Sequence, residues 1–215
     1  MVDYLAIEQD LVKTVQEPTL FTWIVPPTVI YGRHQSVEAE VNEAYCRENG
    51  IAIVQRKSGG GCVYADEGNL MISFVAPSTH SEQVFGDFLR MIAQALQDKG
   101  LHAVTTEHND ILVNERKVSG WACFTSPTGT IVHGTMLFDV NLDALTQAIT
   151  PTKDKLCKHG VASVRQRVEN IKELTNAFND IIELRNYIEQ YGNLIAGTID
   201  AGEPDSQTGK VCRRG

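Results

Sequence analysis

Residues 102–140 read HAVTTEHNDILVNERKVSGWACFTSPTGTIVHGTMLFDV. Within this stretch HAVTT, DILV, RKVSGWACF and TIVHGTMLFDV are rich in β-branched and aromatic side chains. VNERK and SPTG, between them, supply the asparagine, proline and glycine that turns require. The pattern predicts strands joined by tight turns, and strands so joined pair antiparallel.

Upstream, IAIVQR (51–56), CVYA (62–65) and NLMISFVA (69–76) read as three more strands. TLFTWIV (19–25) and TVIYG (28–32) are two others, split by Pro26-Pro27, which has no N–H to give to a ladder. Helical spacing appears in YLAIEQDLVKTV (4–15), where Leu5, Leu11, Val12 and Val15 share a face behind Asp3 as a cap. A second helix is expected over EAEVNEAYCRENG (38–50), closing on Gly50, and a long amphipathic one over SEQVFGDFLRMIAQALQDKG (81–100). NLDALTQAIT (141–150) and VENIKELTNAFNDIIELRNYIEQYG (168–192) read as mainly helical, and EPDSQTGKVCRRG (203–215) as a loose polar tail. Strands adjacent in sequence with few helices between them predict an α+β fold: a mixed, largely antiparallel β-sheet flanked by helices.

Bulk properties exclude several classes. The chain has 215 residues, 42% apolar and 21% charged, an ordinary composition for a folded, water-soluble domain. A formal charge of −8 argues against a nucleic-acid binder, which needs a field of cations against phosphate. The start MVDYLAIEQD has no leader pattern and no apolar run approaches a membrane span, so the expected compartment is the cytoplasm, without nucleic acid or membrane as partner. Five cysteines without CxxC spacing fit reduced thiols better than disulfides or a zinc site.

QRKSGGGCVYADEGNL (55–70) puts three glycines after a basic, extended segment. Glycines permit backbone conformations that side chains forbid and let N–H groups approach a ligand. Alone the run reads as a turn rather than an anion site, since neither GxxxxGK[ST] nor a convincing GxGxxG is present. Arg56, Lys57 and Ser58 tilt it toward an anion site. In HNDILVNERKVSGWA (108–122), Asp110 opens one strand and Lys117 lies on its hairpin partner, which can bring a carboxylate and an ammonium to one end of the sheet. A solvated hairpin lysine is the plainer reading of Lys117. His34 in YGRHQ and His133 in VHGTMLFDV read as hydrogen-bonded structure rather than as bases.

Taken in order, PPTVIYGRHQSVEAEVN, QRKSGGGCVYADEGNL, HNDILVNERKVSGWA and HGTMLFDVNLDAL resemble the lipoate-protein ligase A family of the biotin/lipoate ligase superfamily, and KHGVASVRQRVENI (158–171) resembles the segment closing its catalytic domain. The resemblance implies a catalytic domain over residues 1–200, a tail over 201–215 and no full C-terminal accessory domain. It also implies a reaction: lipoate and ATP, with Mg²⁺, give lipoyl-AMP, and the lipoyl group passes to a lysine of a carrier domain. The carriers implied are E2 subunits of 2-oxoacid dehydrogenases and the glycine cleavage H protein, with a separate accessory chain as a further partner. By the same resemblance Lys117 contacts the reactive carbonyl and α-phosphate. Arg56, Ser58, Gly59, Gly60 and Gly61 line the lipoyl and phosphate tunnel, with Val63 against acyl chain or adenine. Asn69, Asn109 and Asp110 are polar contacts, Asp110 through Mg²⁺, and Gly134 and Thr135 lie near the adenylate.

This sequence departs from the family pattern at Ala65, Gln55 and Trp121-Ala122-Cys123. Two other readings stand beside the ligase: an ATP-independent octanoyl or lipoyl transferase using Cys62 or Cys123 as a thioester, and a non-catalytic lipoate-binding relative. Biotin ligation fits less well, because the GRGR signature of that branch is absent.

Overall fold

The computed structural model describes residues 4–149 and 168–195. The expected cap Asp3, most of the 158–171 segment and the tail fall outside them.

Nine strands form two sheets among the described residues. The larger has six strands in the order β1-β5-β9-β8-β7-β6, comprising β1 (Thr19–Trp23), β5 (Asn69–Ala76), β6 (Ala103–Thr105), β7 (Asp110–Val113), β8 (Arg116–Ser126) and β9 (Gly129–Leu137). Every pairing in it is antiparallel. The smaller sheet is β3-β2-β4, with β2 (Thr28–Tyr31), β3 (Ala52–Gln55) and β4 (Val63–Ala65). Here β2 pairs parallel with β3 and antiparallel with β4, so the whole is mixed and largely antiparallel. Pro26-Pro27 marks the point where the chain leaves one sheet for the other. Residues 102–140 form four consecutive strands of the large sheet, as their turn chemistry predicts.

Alternation along the strands gives the large sheet two unlike faces. Leu70, Ile72 and Phe74 of β5, Val118 and Trp121 of β8, and Val132 and Met136 of β9 pack beneath α4 (Ser81–Gln97) in the main core. Phe88 of α4 stacks on Phe74 and meets the Trp121 ring edge-on, and burying such a side chain contributes about 3 kcal/mol. The opposite face carries Met71, Val75, Ile131 and the polar Ser73 and His133 under α1 (Tyr4–Thr14). A separate cluster joins the small sheet to α3 (Glu43–Glu48) and α5 (Leu142–Ala148).

Two expected helices come out differently. Residues 38–50 form α2 (Val37–Glu40) and α3, because Val41 bridges to Ile149 in extended conformation and the Asn42 side chain caps the second helix at Tyr45 N. Over 168–192 a short 3₁₀ turn at Ile171–Glu173 precedes α6 (Ile181–Ile195), whose start is capped by the Asp180 carboxylate on the N–H groups of Ile182 and Glu183. No helix among the described residues is long and apolar enough to cross a membrane.

Candidate active site

The loop joining β3 to β4 passes over the end of β2, their common neighbour. The approach is close: a Cβ on Gly32 would lie 2.3 Å from the Gly60 carbonyl oxygen. Gly60 itself has φ +86°, a conformation side chains disfavour. The glycine run is therefore set by backbone demands, and one cation organises it. Arg56 is buried, and its Nη2 donates to the carbonyls of Gly59 (2.7 Å) and Gly61 (2.6 Å), Nη1 to Ile30 O and Nε to Ser58 Oγ. Burial pulls the guanidinium below its ordinary pKa, with the nearby Cys62 acting the other way. No carboxylate among the described residues pairs with it within salt-bridge distance. A desolvated cation without a carboxylate gives the loop a positive field at little distance from an anion placed on it.

Lys117 arrives from the other side. The register between β7 and β8 slips, with Ile111 opposite Ser119 but Leu112 opposite Lys117, so Val118 is the extra residue of a bulge. Lys117 Nζ then folds back over β8 to meet Asp110 Oδ1 at 2.7 Å. Its path needs Gly120, where a Cβ would lie 2.8 Å from that ammonium. The lysine side chain is 35% exposed, open to a ligand yet fixed by its carboxylate.

Between the two lies a cavity of about 860 Å³, at the upper end of small-molecule sites. It brings together Arg56, Gly60, Gly61, Val63, Asn109, Asp110, Lys117, Gly134 and Thr135. Ser58, Gly59 and Asn69 are not on its wall: Ser58 and Asn69 are buried, and Gly59 turns its carbonyl to Arg56. Asn69 donates to Met71 Sδ, a cavity atom's residue, and its own Oδ1 has no partner. Gly134 makes room on the opposite face: a Cβ there would stand 2.4 Å from two carbons of the Trp121 ring. No group of three or more metal-ligating side chains occurs among the described residues, so Asp110 offers one carboxylate and no ready-made cage. Cys62 lines the cavity, whereas Cys123 packs toward the α4 core.

Sequence reading passed over several residues here. Leu5, Ile30 and Met71 supply apolar wall, and His34 and Gln35 the rim. His133 lines the cavity as well, and it meets Glu8 of α1 through Nδ1 (2.8 Å) and Ser58 through Nε2 (2.6 Å). The signal for Glu8 was its place on the apolar stripe, between Leu5 and Val12 at helical spacing.

The fold and cavity together give an α+β domain in which a glycine loop and a lysine face one pocket. The profile described as lipoyl protein ligase A/B catalytic domain matches residues 2–191, and the chain belongs to that family. It is 37% identical over 201 residues to the lipoate-protein ligase LplJ of Bacillus subtilis (strain 168), covering 92% of this chain and 60% of that one. The fold superposes on a lipoate-protein ligase A bound with ATP with a TM-score of 0.78 at 27% identity, over 88% of this chain and 78% of that one. It superposes equally on the bipartite lipoate protein ligase of Thermoplasma acidophilum, studied with its E2 lipoyl domain (TM-score 0.77, 28% identity, 89% and 77% covered). The chain thus spans about 60% of the length of the B. subtilis relative.

Proposed function

We propose that this chain activates lipoate with ATP and passes the lipoyl group to a protein lysine. The observation that carries the reading is the single cavity faced by both the Gly60-Gly61 backbone and the Lys117 ammonium. In the first step a lipoate carboxylate oxygen attacks the α-phosphorus, the bond to the bridging oxygen breaks, and pyrophosphate leaves with that electron pair. Negative charge grows on the α-phosphate oxygens, where Lys117 and the loop amides lie in a partly dry site. In the second step a carrier lysine, as the free amine, attacks the acyl carbonyl and AMP departs. Lys117 stabilises charge in both steps and forms no covalent bond.

The fatty tail fits the apolar wall of Leu5, Ile30, Val63 and Met71, and Asn109, Gly134 and Thr135 are assigned to the nucleotide side. Mg²⁺ is proposed to enter with the ATP phosphates, with Asp110 as the protein carboxylate offered to it, since such sites need few protein ligands. The proposed acceptors are E2 lipoyl domains, as in the T. acidophilum system, and the glycine cleavage H protein. That ligase, being bipartite, is the precedent for a separate accessory chain.

One observation favours a second reading: Cys62 lines the same cavity, as an ATP-independent acyl transferase working through a thioester would require. Mass spectrometry of an apo carrier domain incubated with the chain, lipoate and Mg²⁺ separates the two. A lipoyl mass increment only with ATP supports the ligase. An increment from an acyl-carrier donor without ATP supports the transferase.

A further inference from the structure

We propose that Glu8, His133 and Ser58 form a buried positioning relay that aims Arg56, and through it the glycine loop, with the Glu8 carboxylate setting the tautomer of His133. The relay is a property of the folded chain; only the identity of what the loop holds rests on the adenylate reading above.

The direction follows from counting donors. Trp23 Nε1 can only donate, and it lies 2.8 Å from Ser73 Oγ. The Ser73 hydroxyl proton is then left for Glu8 Oε1. An ionised carboxylate only accepts, so His133 Nδ1 donates to Glu8 Oε2 at 2.8 Å. At the far end Arg56 Nε can only donate, and it does so to Ser58 Oγ at 3.0 Å and, less closely, to Gly59 O at 3.2 Å. The Ser58 proton therefore goes to His133 Nε2 at 2.6 Å. One assignment leaves no proton without an acceptor: His133 carries its hydrogen on Nδ1. Glu8, Ser73, His133, Ser58 and Arg56 are all buried, which strengthens these bonds.

The consequence appears at the loop. A guanidinium is a planar fork, and fixing Nε on Ser58 fixes where Nη2 points. Nη2 holds the carbonyls of Gly59 and Gly61. In a trans peptide the following N–H points opposite to the carbonyl, so the N–H groups of Gly60 and Cys62 are turned to the side away from Arg56. Both residues line the cavity. A carboxylate on α1 thereby orients anion-binding amides without touching them.

The Ser58-His133-Glu8 spacing also matches that of hydrolytic triads. Ser58, however, is buried, is not part of the cavity wall, and accepts from Arg56. Its position transmits orientation and offers no reacting carbonyl a path.

The test uses the ¹⁵N-labelled full chain and two variants. Long-range ¹H–¹⁵N correlation should show His133 protonated on Nδ1. In Glu8→Gln, Ser73 still donates to the amide oxygen, the amide nitrogen donates to Nδ1, and the His133 proton moves to Nε2. The KM for ATP in lipoate-dependent pyrophosphate exchange should rise roughly ten- to a hundredfold, as for other lost orienting partners. Ser58→Ala should raise the same KM with the Nδ1 tautomer kept, and Glu8→Gln should add nothing in that background. A role limited to stability would lower Tm in all variants with neither a tautomer change nor this non-additivity. An Nε2–H tautomer in the unmodified chain overturns the relay, and that result does not depend on the folding of any variant. An unchanged tautomer in Glu8→Gln, or additive effects in the double variant, overturns it as well. If the unmodified chain shows no lipoate-dependent exchange, the adenylate reading fails instead, and the two NMR outcomes still decide the relay.

Discussion

Gly120 and Gly134 lie on adjacent strands, one register position apart, and clear space on opposite faces of the same sheet. Gly120 clears a path for the Lys117 ammonium on the cavity side; Gly134 clears a seat for the Trp121 ring on the α4 side. The α4 face is closed mainly by apolar contact, whereas the cavity face of the same strands carries a cation, a carboxylate and a line of buried hydrogen bonds. Period-two alternation lets one set of residues anchor the fold while their neighbours hold the site.

If the faces divide labour in this way, substitutions on each should report in different quantities. Phe88→Ala removes the ring that contacts both Phe74 and Trp121 and is expected to cost about 3–5 kcal/mol. Denaturant melts would show the loss, while adenylation per folded molecule stays near that of the unmodified chain. Gly120→Ala should do the reverse, because its methyl group must push the ammonium aside. A shift of about 1 Å in a catalytic group can lower turnover about a hundredfold, which pyrophosphate release would detect with Tm nearly unchanged. Gly134→Ala should behave like a core change, with a stability loss of roughly 1–3 kcal/mol or more from overpacking against Trp121; a melting temperature equal to that of the unmodified chain would dissolve the comparison. The smallest effect is expected from Cys62→Ala, which should leave ATP-dependent lipoylation of a carrier domain in place. Loss of transfer in that variant would move the chemistry to the thiol.

Much of the scaffold was legible in the sequence because it depends on local chemistry. Asparagine and glycine in the VNERK and SPTG turns, and prolines between β1 and β2, act on the residues next to them. The break between α2 and α3 was not legible, since it depends on Val41 pairing with Ile149, far away in sequence. The site divides in the same manner. The ordered motifs named Lys117 and the glycine run, but the role of Arg56 as a clamp on carbonyls follows from a loop crossing β2, which no spacing encodes. Glu8 was visible only as a charge on an apolar stripe, and its meaning came with the histidine that meets it from β9. Gly120 looked like any strand glycine until the bulge at Val118 brought the lysine over it.

In the proposed reaction the Lys117 ammonium and the glycine loop act on one acyl-adenylate. Lipoate-dependent exchange of pyrophosphate into ATP, compared between the unmodified chain and Lys117→Met, tests it most directly. Exchange should need lipoate and fall at least about a hundredfold in the variant, as when a transition-state charge partner is removed, with the fold intact by circular dichroism. Exchange that persists undiminished in Lys117→Met would contradict it.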